Sequence, residues 1–175
     1  MALIRDVKIS DTERLLEIYA YYVLYTAVSF ETEVPSYDEF KSRIETFTAK
    51  YPYIVIEEDG RVMGYAYAHA FVGRAAYDRS CELTIYLDKD AKGKGYGRAL
   101  YEELESRLKS MGILNLYSCI GDPDKEDEYL TKDSERFHAA LGFKKVGDFC
   151  KCGHKFGRWY NMIWMGKIIG KHGAL

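Results

Sequence analysis

The sequence lacks a long apolar segment and an excess of either charge. No apolar run approaches the ~18 residues that a membrane-spanning helix needs. Lys and Arg number 25 against 27 Asp and Glu, so the formal net charge is −2 and the basic excess typical of nucleic-acid-binding proteins is missing. The first residues, Met-Ala-Leu-Ile-Arg-Asp, have neither the basic end nor the apolar core of a signal peptide. We therefore expect a cytoplasmic protein with neither a membrane nor a nucleic acid as partner.

Proline and cysteine are also scarce, with 3 and 4 residues. In the cytoplasm the thiols are expected to stay reduced. Cys150, Cys152 and His154 form a Cys-x-Cys-x-His pattern, but zinc needs four ligands and usually a wider spacing between paired cysteines. On a strand, the two cysteines simply share one face. We therefore predict no metal site.

What the sequence does have is an ordinary globular composition with an unusual number of aromatic residues. Hydrophobic residues make up 47% and charged residues 30% of 175 residues, which predicts a single domain spanning residues 1–175. Aromatic residues reach 15%, including 16 Tyr. We expect most tyrosines to pack on helix or strand faces, and Tyr77 and Tyr160 to line a pocket.

Turn and capping signals divide the chain into helices and strands. Ser10 to Glu13 and Ser36 to Glu39 read as capping boxes that begin two helices, the second ending near Lys50. Asp59-Gly60 predicts a hairpin. The predicted strands are 3–9, 53–57, 61–70, 81–87, 114–120, 144–151 and 159–168, with further helices at 100–111 and 134–141. This order predicts a mixed α/β fold, with helices on both faces of one twisted sheet.

A loop rich in glycine and lysine joins the strand 81–87 to a strongly amphipathic helix. Its sequence is Lys92-Gly93-Lys94-Gly95-Tyr96-Gly97-Arg98. Backbone N–H groups and the helix dipole converge at the N-terminus of such a helix, so a pyrophosphate is the expected ligand. The loop lacks the Gly-Lys-Ser/Thr of a Walker motif and the third glycine of the dinucleotide fingerprint. An exposed basic turn that binds nothing is the alternative.

The loop resembles the Arg/Gln-x-x-Gly-x-Gly/Ala motif of the GNAT N-acyltransferases, with Lys92 in the Arg/Gln place. Further motifs resemble the phosphinothricin (methionine sulfoximine) acetyltransferase branch of that family, and together they cover about residues 3 to 167. These motifs are Ser29-Phe30-Glu31-Thr32, Arg74-Ala75-Ala76-Tyr77 with Glu82, Phe137-His138-Ala139-Ala140-Leu141-Gly142-Phe143 and Lys155-Phe156-Gly157-Arg158-Trp159-Tyr160-Asn161.

The resemblance implies the GNAT fold, a mixed and mostly antiparallel sheet flanked by about four helices, in a homodimer. It also implies an acetyl-CoA-dependent N-acetyltransferase in which a primary amine attacks directly in a ternary complex. The implied cofactor-binding residues are Leu83, Thr84, Ile85 and Tyr86 on the strand, Lys92, Gly93, Lys94, Gly95, Tyr96, Gly97 and Arg98 in the loop, and Ser134.

Two residues are candidates for the acid–base chemistry that acetyl transfer to an amine requires. Glu82 lies in an apolar strand at the position that the family uses as base, although it could be an outward-facing strand residue. His138 stands where this branch has a histidine in place of the tyrosine that protonates the thiolate in many relatives. It could instead act as a base, or simply pack on a short helix.

The acceptor amine is less well defined. The resemblance implies that Arg74 and Tyr77 bind a carboxylate or another anion and that Phe30 and Glu31 form the opposite wall, which favours an amino-acid analogue such as phosphinothricin or methionine sulfoximine. An acidic insert at 122–128 and Asn161, where relatives often have Asp, depart from the branch. Polyamines, aminoglycosides and protein N-termini therefore stay open as acceptors, as does a CoA-binding regulatory module without catalysis.

Overall fold

The computed structural model describes residues 2–173. Within them the α-helices are α1 (Thr12–Tyr25), α2 (Tyr37–Thr48), α3 (Tyr96–Ser110) and α4 (Asp133–Ala140). The strands are β1 (Leu3–Asp6), β2 (Tyr53–Glu58), β3 (Arg61–Ala70), β4 (Ser80–Leu87), β5 (Asn115–Asp122), β6 (Lys144–Lys155) and β7 (Arg158–Ile168). None of the described helices is long and apolar enough to cross a membrane.

All seven strands of the described chain form one sheet in the order β1-β2-β3-β4-β5-β7-β6. Every neighbouring pair is antiparallel except β4 and β5, which run parallel. Helix α3 provides the crossover that a parallel pair requires. The predicted mixed and mostly antiparallel sheet is confirmed.

Side chains that alternate along β2 show how helices cover both faces of the sheet. Ile54 and Ile56 pack in the core cluster that contains the apolar face of α3. Tyr53 and Val55 point the other way, into a cluster with α1 and α2. Because successive residues of a strand face opposite sides, one short strand contributes to both cores.

The two predicted capping boxes have different outcomes. The hydroxyl of Ser36 accepts the Glu39 N–H at 3.2 Å, so the box that begins α2 is confirmed. The box at Ser10 is wrong, because α1 begins at Thr12 after a short 3₁₀ turn. Asp11 instead stabilises the start of the 3₁₀ turn: its carboxylate accepts the Lys8 N–H at 2.7 Å and pairs with Arg5 at 2.8 Å. The charged acceptor makes these bonds strong, and the chain enters α1 through this turn.

The parallel pair β4–β5 separates soon after it begins. Only Ser80, Cys81 and Glu82 pair with β5, while β4 continues to Leu87 along β3 alone. From residue 83 onward the edge of β4 that faces β5 therefore has no strand partner. This opening in the middle of the sheet positions the candidate site.

Candidate active site

A cavity of about 260 Å³ lies where β4 and β5 separate. Its walls are β4 residues 82–86, β5 residues 118–121, and side chains from β3, α3 and α4. The predicted residues Glu82, Ser134 and His138 are brought together around it, although 56 residues of sequence separate the first from the last.

Glu82 faces this cavity rather than bulk solvent, with its side chain 20% exposed. Burial raises the pKa of its carboxyl group, and the nearby imidazole of His69 offsets part of that rise. The two side chains approach to 3.6 Å between Glu82 Oε2 and His69 Nε2. A carboxylate with a raised pKa in a cavity is a suitable proton acceptor.

His138 is buried and both of its ring nitrogens are engaged. Nδ1 donates its proton to the Ser134 carbonyl at 2.7 Å, which leaves Nε2 to accept from the Tyr101 hydroxyl at 2.8 Å. Burial lowers the pKa of His138 to about 4, so the imidazole is neutral at neutral pH. The residue therefore holds the Tyr101 hydroxyl in place, and no imidazolium is present to act as an acid.

Tyr101 is a cavity residue that the sequence analysis missed. It belongs to the apolar face of α3, where a tyrosine looks like any core aromatic. Its hydroxyl lies between His138 Nε2 and the Ser118 hydroxyl, 3.3 Å away. Burial, with a contribution from the charge of Glu82, raises the pKa of Tyr101 and keeps it protonated. Only the three-dimensional contact with His138 distinguishes it from the rest of the core.

The glycine-rich loop presents unpaired backbone donors at the start of α3. Among the described residues, none of the N–H groups from Lys92 to Arg98 has a hydrogen-bond partner. Gly93 and Gly95 adopt φ values of +78° and +81°, a left-handed conformation that side-chain-bearing residues rarely adopt. Gly97 is needed for another reason, since a Cβ there would lie 3.0 Å from the ring of Phe137 on α4. The loop is shaped to hold an anion.

The basic side chains of this loop contribute unequally. The ammonium group of Lys94 pairs with Glu58 at 3.1 Å, and Arg98 pairs with Glu102 at 3.5 Å. Lys92 is exposed and forms no ion pair with any described residue. The positive field therefore comes from the backbone N–H groups, the dipole of α3 and Lys92, with Lys94 and Arg98 partly neutralised.

On β4, three of the four predicted cofactor-binding side chains pack into the two cores. Leu83 and Ile85 pack towards α3, and Tyr86 lies 5.0 Å from the rings of both Tyr19 and Tyr22. Thr84 lines the cavity, and the main chain of residues 83–86 has no strand partner on the β5 side. Ser134, at the start of α4, lines the same cavity.

The predicted acceptor-binding residues divide into two groups. Arg74 and Tyr77 lie between β3 and β4, outside the cavity wall. Arg74 forms no ion pair within the described chain. The ring of Tyr77 packs against that of Phe71, with the ring centres 6.1 Å apart. On the other side, Phe30 lies beside Gly121 of the cavity wall, whereas Glu31 turns to Arg43 at 2.7 Å. The structure therefore places none of these four side chains on the cavity wall: Phe30 packs behind Gly121 and lines a separate pocket with Glu31, and Arg74 is exposed.

Tyr160 was expected in a pocket wall but is only 2% exposed. It packs in a small core with Ala27 and Leu130, and its hydroxyl donates to Asp127 at 2.9 Å. The expectation was wrong because the neighbouring acidic insert folds over this ring and supplies its partner.

The acidic insert is held by hydrogen bonds and ion pairs within the chain. Its pairings are Asp122 with Lys132, Asp124 with Asn161, Glu126 with Arg136, Asp127 with Arg158 and Tyr160, and Glu128 with Arg158. Arg158, for example, approaches Asp127 at 2.9 Å and Glu128 at 2.8 Å. The negative charges are thus largely matched by the protein's own side chains.

Comparisons with known proteins agree with this geometry. Residues 4–164 match the model of the acetyltransferase (GNAT) domain. The chain is 34% identical over 163 residues to the phosphinothricin N-acetyltransferase of Alcaligenes faecalis, covering 93% of this chain and 80% of the relative. It is 29% identical over 169 residues to the L-methionine sulfoximine/L-methionine sulfone acetyltransferase of Salmonella typhimurium, covering 94% and 93%.

A solved structure is similar over nearly the whole length. It is a GNAT superfamily phosphinothricin acetyltransferase from Sinorhizobium meliloti in complex with AcCoA, with a TM-score of 0.88 and 36% identity, covering 97% of this chain and 89% of that one. The unpaired loop donors and the free edge of β4 fit the diphosphate and the extended arm of the same cofactor. The chain therefore belongs to the GNAT acetyltransferase family and is an acetyl-CoA-dependent acetyltransferase.

Proposed function

We propose that this enzyme acetylates the primary amine of a small amino-acid analogue of the phosphinothricin or methionine sulfoximine type. The amine attacks directly in a ternary complex, with Glu82 as the base. The observation that carries the proposal is the position of Glu82, whose carboxyl group lies in the cavity directly before the unpaired edge of β4 and has a raised pKa. The relatives named for these two substrates support the substrate class.

The cofactor supplies an acetyl group activated as a thioester. In the proposed complex the N–H groups of residues 92–98 hold its diphosphate, Lys92 adds charge, and Ser134 contacts it near the start of α4. The free main-chain groups of Leu83, Thr84, Ile85 and Tyr86 bind the extended arm and orient the reacting carbonyl. These donors are fixed before binding, which is what effective stabilisation of developing negative charge requires.

The protein's own groups then handle the protons. A carboxylate oxygen of Glu82 takes a proton from the substrate ammonium, directly or through one water molecule. At rest Tyr101 Oη donates its proton to His138 Nε2 at 2.8 Å. We propose that this hydroxyl turns to the departing sulfur, where the O–H bond breaks as the S–H bond forms, and that Tyr101 regains a proton from water after the products leave. His138 contributes by positioning Tyr101.

The charge distribution favours an acceptor that carries an anionic group. The acidic insert, the feature that a polyamine or an aminoglycoside would exploit, is largely neutralised by Lys132, Arg136 and Arg158. Arg74 has no such partner among the described residues, and a guanidinium group binds carboxylates and phosphinates in a two-point geometry. We propose that Arg74 and Tyr77 bind the anionic end of the acceptor, while Phe30 and Glu31 contribute the opposite wall.

We also propose that residues 1–175 act as one acetyltransferase domain in a homodimer. Strand β7 and its neighbour β6 support this idea with exposed apolar side chains, since Val146, Phe149 and Ile168 are 50% to 67% exposed. Analytical ultracentrifugation of the purified protein distinguishes a dimer from a monomer.

The central experiment measures thiol release from acetyl-CoA with phosphinothricin and methionine sulfoximine, using Glu82→Gln. We expect kcat to fall by at least about 10²-fold, the lower range for loss of a general base, with unchanged CoA affinity. Glu45→Gln, an exposed glutamate of α2, is the matched control. A Glu82→Gln enzyme with wild-type kcat would contradict the assignment. Tight CoA binding without thiol release from any amine would identify a non-catalytic module.

The acceptor class is tested with Arg74→Ala on an anionic amine and on spermidine. Loss of a charge-assisted hydrogen bond, worth about 1.5–3 kcal/mol, predicts that kcat/KM for the anionic amine falls by at least tenfold. Activity on spermidine should not fall. An Arg74→Ala enzyme that keeps its preference for the anionic amine would eliminate the proposed carboxylate contact.

A further inference from the structure

The imidazole of His69 faces the carboxyl group of Glu82 from strand β3. On the antiparallel pair β3–β4 the two residues are direct partners, and both line the cavity. Cross-strand partners have their side chains on the same face of the sheet, so this juxtaposition follows from the register. Glu82 Oε2 and His69 Nε2 are 3.6 Å apart.

The hydrogen bond on the other side of the imidazole fixes which nitrogen faces Glu82 without a proton. His69 Nδ1 lies 3.1 Å from the carbonyl oxygen of Ala70. A carbonyl oxygen only accepts hydrogen bonds, so Nδ1 carries the proton and the neutral ring presents a lone pair at Nε2. Two proton acceptors, a carboxylate and an imine nitrogen, therefore face each other across a gap that one proton can bridge.

The remaining ionisable groups around the cavity hold their protonation states near neutral pH. Burial raises the pKa of Tyr67 to about 12 and that of Cys119 to about 12, raises the pKa of Tyr101, and lowers that of His138 to about 4. These four side chains therefore keep their resting protonation states near neutral pH, and His69 is the group beside Glu82 that presents an acceptor nitrogen to it.

Helix α2 adds no competing proton acceptor on the other side of the imidazole. Its ring contact is Phe47, which stacks on His69 at 5.2 Å and 25° and fixes the ring plane. Its charged group in this region is Arg43, which lies beside Tyr67 and pairs with Glu31 at 2.7 Å and Glu39 at 2.6 Å. The imidazole is held in orientation by packing while its Nε2 stays directed at Glu82.

The imidazole also connects the cavity to solvent, since its side chain is 25% exposed. We propose that His69 is a proton relay acting through Glu82: the carboxylate takes a proton from the substrate ammonium, and His69 Nε2 takes it from the carboxyl group and releases it to water. The first transfer breaks a substrate N–H bond and forms Glu82 O–H. The second breaks that O–H bond, forms Nε2–H and restores the carboxylate. This inference rests on the proposed role of Glu82.

The kinetic test compares His69→Gln with His172→Gln, which replaces a histidine outside this cavity. With methionine sulfoximine and acetyl-CoA, we expect kcat of His69→Gln to fall on the order of tenfold at pH 7, less than for a group in contact with substrate. KM for both substrates should change less than twofold. Free imidazole added to His69→Gly should restore part of kcat, which a purely structural role would not allow. Wild-type kcat in His69→Gln, or no rescue of His69→Gly, would overturn the relay.

A second measurement does not depend on turnover. It is the CoA affinity of His69→Gln in isothermal titration calorimetry, which should equal that of wild type because His69 lies outside the cofactor-binding edge. A loss of affinity together with the loss of kcat would overturn the relay in favour of a structural role. If Glu82→Gln keeps wild-type kcat, the proposed function fails instead, whatever His69→Gln shows.

Discussion

A substitution in the glycine-rich loop tests whether its backbone conformation is what binds the cofactor. Gly95 has φ +81°, and no atom lies within 4 Å of the position that a Cβ would take there, so alanine meets no steric clash and changes only the backbone preference. The left-handed conformation costs an L-residue roughly 1–2 kcal/mol. If the free loop of the alanine variant relaxes to avoid that cost, CoA binding must restore the left-handed conformation. A penalty of about 1 kcal/mol for this step weakens CoA affinity by roughly fivefold.

The matched control is Gly157→Ala in the β6–β7 turn. Gly157 has φ +73° and the same open surroundings, but lies outside the cavity and the loop. Urea unfolding should show that Gly157→Ala loses about 1 kcal/mol of unfolding free energy. Isothermal titration calorimetry should show unchanged CoA affinity for Gly157→Ala and weaker affinity for Gly95→Ala alone. Equal, wild-type affinity in both variants would refute the idea that the left-handed loop forms the diphosphate site.

Two further predictions concern stability. Because the pKa of His138 is lowered to about 4, the unfolded chain binds a proton below pH ~6.5 that the native state does not. Lowering the pH to 5 should therefore reduce the free energy of unfolding by on the order of 2 kcal/mol. In urea unfolding, His138→Asn should show a correspondingly smaller reduction. Asn161→Ala removes an acceptor 2.8 Å from the Lys151 N–H and a donor 2.7 Å from Asp124, and at about 1 kcal/mol per bond it should lower Tm by roughly 5 °C in calorimetry. A Tm within error of wild type would exclude a stabilising role for Asn161.

Much of the fold could be predicted because local chemistry and tertiary structure agree. The hairpin at Asp59-Gly60 has φ +51° and +80° at these residues, which is the left-handed conformation that its turn signal predicts. The prediction failed where a neighbouring side chain set the local structure. At Ser10, Asp11 stabilises a 3₁₀ turn through Arg5 and the Lys8 N–H, and α1 begins only at Thr12.

Strand β6 was predicted too short for a related reason. It was expected to end at Lys151, but it continues to Lys155 beyond an irregularity between Phe149 and Gly153. Lys151 itself takes φ +48°, and its N–H is bound by the side chain of Asn161 on β7. No pattern within β6 indicates this bulge, because the group that stabilises it belongs to the next strand.

The site was predictable to the extent that it lies in motifs. Glu82, Ser134 and the loop 92–98 were predicted from motifs read along the sequence. Tyr101 and His69 were not, because one resembles a core residue of an amphipathic helix and the other an ordinary member of a strand. Their proposed roles depend on contacts with neighbours across the fold, His138 and Glu82. These contacts depend on the strand register and on the helix packing, and neither can be predicted from the local sequence pattern around Tyr101 or His69.

The pairing of strand β4 explains why the proposed acid–base groups and the proposed cofactor-binding edge lie at the same point of the sheet. Its pairing with β3 continues through Leu87, so the register holds His69 against Glu82 on that side. Its pairing with β5 stops at Glu82, so the main chain on the other side is left free. Continued pairing with β5 would occupy those main-chain groups and close the cavity, whereas lost pairing with β3 would separate the imidazole from the carboxylate. The proposed acid–base pair and the proposed cofactor edge therefore both depend on unequal pairing of the same eight-residue strand.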